Sequence, residues 1–465
     1  MSQLVYFGID LGTTNTKVIA VKESGEFIGS ARRATDWIVL PNGRIEADTQ
    51  HLYKTVVDCI NELVTTTGKI VGQFKVSGIG ITGMAESGVV LDKDNNILTQ
   101  PVAWFDSRGE AEMNALGDEF RKEYQAKTGL VFKPESSLSS LLSMKSEGFD
   151  FKQKGIVWLN LLEYVAFRFT GTKATEPSLA SRTALLDQAN LKFWQRAKDI
   201  LQVEDSFIPE QRFCGQSWGG VSTNQLPEQL QAAQVTVAGH DHSVGAIGSG
   251  ATGVDQIFNS AGTADVIYRS VPGTLSDQQR FALTELGVSA GRHALKDATS
   301  LIGGSRGGLV LRRALDLLGA REGKKLAEID DAWDADHKFK DVIDMSQGKS
   351  ISNDLKIVLT GDAGPNDLWA AALDYMSSEN KKMLNGIAAV VGEHKTALGS
   401  GGWLKLRSVR EIKSSVIANL RFSNIDEPGA FGAAFIASWT AQGGDSSLVD
   451  HVGRLVTKLN SEYRI

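Results

Sequence analysis

Tyr6-Phe7-Gly8-Ile9-Asp10-Leu11-Gly12-Thr13-Thr14-Asn15-Thr16-Lys17 runs straight into Val18-Ile19-Ala20-Val21. An apolar run ending in a carboxylate, a turn of glycine and hydroxyl residues, and a second apolar run read as a β-hairpin. The turn suits a polyphosphate. Gly12 lets backbone N–H groups approach an anion, Thr13, Thr14 and Asn15 add donors, and Lys17 adds a positive charge. Asp10 is positioned for a divalent cation, because Mg²⁺ favours a carboxylate combined with phosphate oxygens. This is not a Walker loop, since no Gly-Lys-Ser/Thr opens a helix here. The same residue types also build ordinary hairpin turns, so the rest of the chain has to decide between the two.

Working outward, Glu26-Phe27-Ile28-Gly29 continues as a third strand. Leu52, Val56, Val57, Ile60, Leu63 and Val64 recur at helical spacing, which predicts a helix over 49–66 with Thr49 as its N-cap. Val76 to Thr82 is a further apolar strand. Three strands, a helix and a strand imply a mixed sheet covered by helices, an α/β architecture. The strand empties into Gly83-Met84-Ala85-Glu86-Ser87-Gly88, and Ala103-Trp104-Phe105-Asp106-Ser107-Arg108 follows. Carboxylates that accept from hydroxyls, a guanidinium that donates and a tryptophan that covers C–H faces resemble the lining of a polyol pocket. The plainer alternative is a solvated loop.

Residues 109–148 read as charged helices, and 156–169 as an apolar helix stopped by Thr170-Gly171. Thr175 to Thr183 is a small polar stretch suited to a turn near a cleft. Val235 to Gly239 is a strand delivering His240-Asp241-His242 to the start of a helix rich in glycine and alanine. A carboxylate at that strand end suits a general base. The two histidines lack a third ligand, so no histidine metal centre is expected.

Ile257 to Tyr268 then repeats the opening theme, with Gly262-Thr263-Ala264 as a second turn between apolar runs. Two similar halves, each offering a Gly-Thr turn to one cleft, suit a nucleotide held between lobes. Gly303 to Gly308 leads into a helix over 309–318, residues 321–349 read as helical surface, and 355–359 as a strand. A helix with an interruption is expected over 367–393. Gly401-Gly402-Trp403 forms a glycine-rich turn before a helix near 408–420. The small-residue helix opened by Glu427-Pro428 reads as one that packs closely on a sheet.

Composition narrows the class. At 465 residues the chain requires more than one domain. Its net charge of −6 gives no electrostatic basis for binding nucleic acid or an anionic membrane surface. Cys59 and Cys214 form neither a metal spacing nor a disulfide framework. The first residues run straight into a strand without a basic-then-apolar pattern, so no leader is expected, and no apolar run is long enough for a bilayer. A cytoplasmic enzyme is the expectation.

Taken in order, these residues resemble the FGGY family of carbohydrate kinases, within the actin-like ATPase superfamily. The resemblance rests on Asp10-Leu11-Gly12-Thr13-Thr14, Trp104 to Arg108, Ala180-Ser181-Arg182-Thr183, Gly239-His240-Asp241, Gly262-Thr263, Gly401-Gly402 and Gly432-Ala433-Ala434. It implies two ribonuclease-H-like lobes, with a first lobe over 1–242, a second over 243–438, and a helix over 439–465 packing back on the first. It implies ATP and Mg²⁺ between the lobes and a small sugar or polyol held mainly by the first; a homodimer is compatible with it.

By the same resemblance, Asp241 would be the base and Asp10 would sit at the metal. Thr13, Thr14, Asn15, Lys17, Gly262 and Thr263 would face phosphates, and Gly308, Gly401, Gly402 and Trp403 would border adenosine. Met84, Ala85, Glu86, Trp104, Asp106 and Arg108 would join Asp241 around the sugar. Met84 to Ser87 matches neither the glycerol kinase nor the xylulokinase substrate motif in full. His240-Asp241-His242 also departs from the family's usual Gly-Gly-Asp pattern. The expected activity is phosphorylation of a ketose or polyol, a pentulose such as xylulose first. The alternatives are glycerol, a tetritol, a hexulose or gluconate, or a chaperone-like or filament-forming ATPase.

Overall fold

The computed structural model describes residues 2–337, 343–347, 355–359 and 361–462. Two six-stranded sheets carry it, and they share one plan. In the first, Gln3–Leu11 pairs antiparallel with Asn15–Lys22, which pairs antiparallel with Phe27–Ala34. Phe74–Gly83 lies parallel on the other side of Gln3–Leu11, and Gln234–His240 lies parallel beyond it. In the second sheet, Gln256–Ala261, Asp265–Pro272 and Ala298–Ser305 form the meander, with Thr396–Ser400 and Leu420–Phe422 as the parallel strands. Each sheet gains one antiparallel edge strand, Gly219–Gly220 in the first and Ser289–Arg292 in the second.

Alternation along the first strand sorts its side chains by face. Val5, Phe7 and Ile9 join Leu52, Val56, Ile60 and Leu63 of helix Thr49–Val71 in one core. Tyr6 faces the opposite side, in a second core with Ala430, Ala433 and Phe435 of helix Pro428–Ala441 and with Val452 and Leu455 of helix Leu448–Glu462. Glycine is required where the Pro428–Ala441 helix lies on the sheet. A Cβ at Gly8 would stand 2.0 Å from the carbonyl oxygen of Ala430, and one at Gly80 2.0 Å from that of Ala433. The close packing expected of this small-residue helix is therefore observed. It is also seated on the first sheet, although its residues follow the second sheet in the chain. Helix Asp241–Ser249 packs against it, with Gly248 facing Pro428 and Gly432. This joint between the two halves holds the strand end that carries Asp241.

Several local readings need correction. The helix over 49–71 is capped by Asp48, whose carboxylate accepts from the His51 N–H at 2.7 Å; Thr49 instead donates its hydroxyl to Gln100. The apolar run over 156–169 is divided into strand Val157–Asn160, paired with Gly88–Leu91, and helix Leu161–Thr170. Asn160 and Glu163 form a capping box at that junction, and a buried strand is as apolar as a buried helix. Pro365–Val391 is one uninterrupted helix. The 321–349 segment contains helix Lys324–Ala332 and strand Ile343–Gln347, which pairs with Leu355–Leu359; its residues 338–342 and 348–349 lie outside the described residues. Among the described residues, no helix is long and apolar enough to cross a membrane.

Candidate active site

A cavity of about 480 Å³ opens between the sheets. It brings together Thr13, Met84, Glu86, Trp104, Asp241, Gly262 and Thr263, which stand far apart in the chain. Both hairpin turns reach it: the first through Thr13 and the second through Gly262 to Ala264. Leu130 and Val131 roof it together with Ser289. Their hold on the second half includes the Ala290 N–H donating to Gly129 O at 2.7 Å and the Val131 N–H donating to Ser289 Oγ at 3.2 Å. These contacts tie the first half to the second at one side of the cavity.

Asp241 is the first residue of helix Asp241–Ser249, where the N-terminal helix dipole favours a negative charge. Its Oδ1 accepts from the His242 N–H at 2.6 Å and lies 3.1 Å from His240 Nε2. Burial deep in the cleft pushes its carboxyl up to about 7. The His242 N–H works against that rise, nearby Glu86 adds to it and Arg182 opposes it. Water still reaches the group, since its side chain keeps 36% exposure. Burial holds His240 well below the ordinary histidine value and His242 down to about 4, so both are neutral at pH 7. A carboxylate that exchanges its proton near neutral pH is suited to act as a general base.

Asp10 is the penultimate residue of strand Gln3–Leu11. Burial, then the nearby Asp241, push its carboxyl up to about 7, and Lys17 pulls it down. Its Oδ1 is buried and has no hydrogen-bond partner among the described residues. An orphaned carboxylate oxygen beside a phosphate-type turn fits a hard divalent cation, and Mg²⁺ commonly takes one or two carboxylates with phosphate oxygens supplying the rest. The described residues contain no group of three or more histidine, cysteine, aspartate or glutamate side chains fit for a metal.

The first turn is held rigid by two indoles. Trp104 Nε1 donates to Thr13 Oγ1 and Trp37 Nε1 donates to Thr13 O, both at 2.8 Å. Trp104 thus ties the expected sugar side to the expected phosphate side. Thr14 is exposed, and its carbonyl accepts from the Thr35 N–H. The Asn15 carbonyl closes the turn on the Gly12 N–H. Lys17 Nζ is paired with Glu427 Oε2 at 2.5 Å. On the other side, a Cβ at Gly308 would lie 1.9 Å from Gly262 O and 2.8 Å from Trp403 Nε1. One at Gly401 would lie 2.4 Å from Ala261 O, and Gly402 opens the short turn that follows. These four residues therefore cluster beside the second turn.

Ala85, Asp106 and Arg108 lie behind the cavity wall. Ala85 is fully buried, with its carbonyl bonded by Asn160. Asp106 accepts from the Ile45 N–H at 2.6 Å and from Arg108 Nη2 at 3.0 Å, and Arg108 Nη1 reaches Glu46 at 2.6 Å. An acid and a base two residues apart satisfy each other and brace the loop. The cavity's guanidinium is that of Arg182, whose Nε donates to Glu86 Oε1 at 2.7 Å. The signal for it was present in Ala180-Ser181-Arg182-Thr183, a polar stretch expected near the cleft. His240 and His242 also line the cavity.

Comparison with known proteins bears on the family and the fold. Residues 5–248 match the family model described as "FGGY family of carbohydrate kinases, N-terminal domain". A xylulose kinase of Bacillus subtilis is 25% identical over 262 residues, 56% of this chain and 52% of that one. The chain therefore spans about half the length of the curated relatives it matches. Among solved structures, a gluconate kinase from Lactobacillus acidophilus superposes with a TM-score of 0.83 at 20% identity, covering 97% of this chain and 92% of the other. Plasmodium falciparum glycerol kinase with ADP does so with a TM-score of 0.85 at 18% identity, covering 98% and 92%. At these identities the solved structures establish a shared fold.

Proposed function

Because the chain belongs to the FGGY family of carbohydrate kinases, we propose that it transfers the γ-phosphate of ATP to a hydroxyl of a ketose or polyol, a pentulose foremost. One observation carries the reading: Asp241 stands in the same cavity as both hairpin turns, Thr13 from one sheet and Gly262-Thr263 from the other. Phosphoryl transfer asks for little covalent chemistry from a protein, so positioning and charge neutralisation carry the rate. Asp241 takes the proton from the acceptor hydroxyl, with His240 and the His242 N–H holding its carboxylate in place. Thr13, Thr14 and Asn15 present donors to the phosphates from one side and Gly262 and Thr263 from the other. Lys17 stands at the edge of the first turn, its charge countered by Glu427 until a phosphate competes for it. Gly308, Gly401, Gly402 and Trp403 border the nucleotide base and ribose, while Met84, Glu86 and Trp104 face the acceptor.

Asp10 would hold Mg²⁺, which when bound neutralises charge on the phosphate oxygens. With ligands bound, Leu130, Val131 and Ser289 would help shield the acceptor hydroxyl from water. Residues 1–242 serve as the acceptor lobe and 243–438 as the nucleotide lobe, with the return to the first sheet beginning at helix Pro428–Ala441, ahead of the 439–465 segment.

The test is ADP release from ATP and Mg²⁺ with a panel of pentuloses, hexuloses, tetritols, glycerol and gluconate. A strong stimulation by one acceptor class is expected. ATP turnover that no acceptor accelerates would contradict the reading.

A further inference from the structure

We propose that Glu86 and Arg182 together read two neighbouring oxygens of the acceptor and restrict it to uncharged polyhydroxy compounds, excluding sugar acids. The inference rests on the kinase reading and deepens it. Arg182 spends only Nε on Glu86. Its two terminal nitrogens and Glu86 Oε2 have no partner among the described residues, and both side chains line the cavity that holds Asp241. A guanidinium edge beside a free carboxylate oxygen offers donors and an acceptor at once, which is the complement of adjacent hydroxyl or keto groups.

Both residues are anchored from behind. Ser137 Oγ donates to Glu86 O at 2.7 Å, and the Arg182 N–H donates to Leu179 O at 2.9 Å. Leu179 belongs to the turn Pro177–Ala180, which the buried Glu176 caps through Ser178 and Leu179. The same Ser178 hydroxyl accepts from the His240 N–H at 2.9 Å, so the arginine and the strand end that delivers Asp241 share one support.

The charge balance excludes an acidic acceptor. Arg182 is neutralised by Glu86, Asp241 adds negative charge, and His240 and His242 are uncharged at pH 7. Lys133 and Glu135, of opposite sign, sit exposed at the rim. A carboxylate on the acceptor would meet Glu86 and Asp241 with the one guanidinium beside them already paired and Lys133 out at the exposed rim, and such like-charge opposition discriminates strongly.

The experiment compares kcat/KM of the full chain for the best uncharged acceptor with that for gluconate, for the wild type, Glu86→Gln and Arg182→Lys. The wild type should favour the uncharged acceptor by about 10²-fold or more. Glu86→Gln unmasks the guanidinium and should raise the gluconate-to-neutral ratio at least ~10-fold. Arg182→Lys should lower kcat/KM for the uncharged acceptor by about 10–100-fold, chiefly through KM. Comparable wild-type use of gluconate, or a ratio unmoved in Glu86→Gln, overturns the proposal while leaving the kinase reading intact. Failure of the wild type to phosphorylate any acceptor overturns both. Should the variants lose their fold by circular dichroism, the wild-type ratio alone decides.

Discussion

The two hairpin turns that face the cleft are built on the same strand plan and treat their carboxylates in opposite ways. In the first, Asp10 stands before the turn with a buried oxygen that no described residue satisfies. In the second, Asp265 stands just after the turn and is fully enclosed. Lys413 Nζ lies 2.7 and 2.8 Å from its two oxygens, and Asn259 and Asn380 each donate to it at 2.9 Å. Both members of the Asp265–Lys413 pair are essentially without exposure. The duplicated motif has thus been divided into a chemically unfinished copy, available to a ligand, and a copy consumed in holding its own turn against helices Arg407–Val416 and Pro365–Val391.

That contrast predicts different consequences for equivalent damage. Lys413→Met strands a buried carboxylate and should cost about 3–5 kcal/mol of stability, read as a drop in Tm. Adding Asp265→Asn should recover part of the loss, because the charge that needed Lys413 is gone. Asp10→Asn should leave Tm equal or higher, since it removes an unsatisfied buried carboxylate. The same change should raise the Mg²⁺ concentration needed for half-maximal activity by about 10–100-fold. A destabilised Asp10→Asn, or an unaffected Lys413→Met, would erase the distinction between the turns.

The pH dependence sharpens it further. Asp10 and Asp241 hold their protons up to about 7, so kcat/KM should rise with pH through that value. Well below it, where both carboxylates are protonated, it should fall about a hundredfold per unit. The stability effect has the opposite sign. The folded chain binds these protons more tightly than the unfolded chain, so the stability they contribute is present in acid and lost as pH rises through about 7. Buried Glu163 and Glu176, pushed up to about 7 and about 8 by burial, add to the same trend. Thermal unfolding of the ligand-free chain between pH 5 and 8 should show the decline, and a flat profile would contradict it.

The hairpins were legible in the sequence because their signal is local: apolar runs around a Gly-Thr turn, repeated at Ile257 to Tyr268. The strand end at Asp241 was legible for the same reason. The Glu86–Arg182 pair was not, since it joins residues 96 positions apart and depends on how the Pro177–Ala180 turn docks. Asp106 and Arg108 misled in the opposite direction. Their types suited a pocket, but their separation of two residues let them neutralise each other. The division of the 156–169 run into strand and helix was hidden because both are buried, and burial removes the periodicity that tells them apart. The seating of helix Pro428–Ala441 on the first sheet is a matter of chain crossing that no local pattern records.

The most direct test of the account is acceptor-dependent ADP release by Asp241→Asn, measured beside ATP binding in the same preparation. The account predicts a fall in kcat of ~10²–10⁴-fold with nucleotide affinity retained, because Asp241 acts on the acceptor hydroxyl and the turns hold the phosphates. Turnover close to that of the wild type would show that the proton leaves by another route and would contradict it.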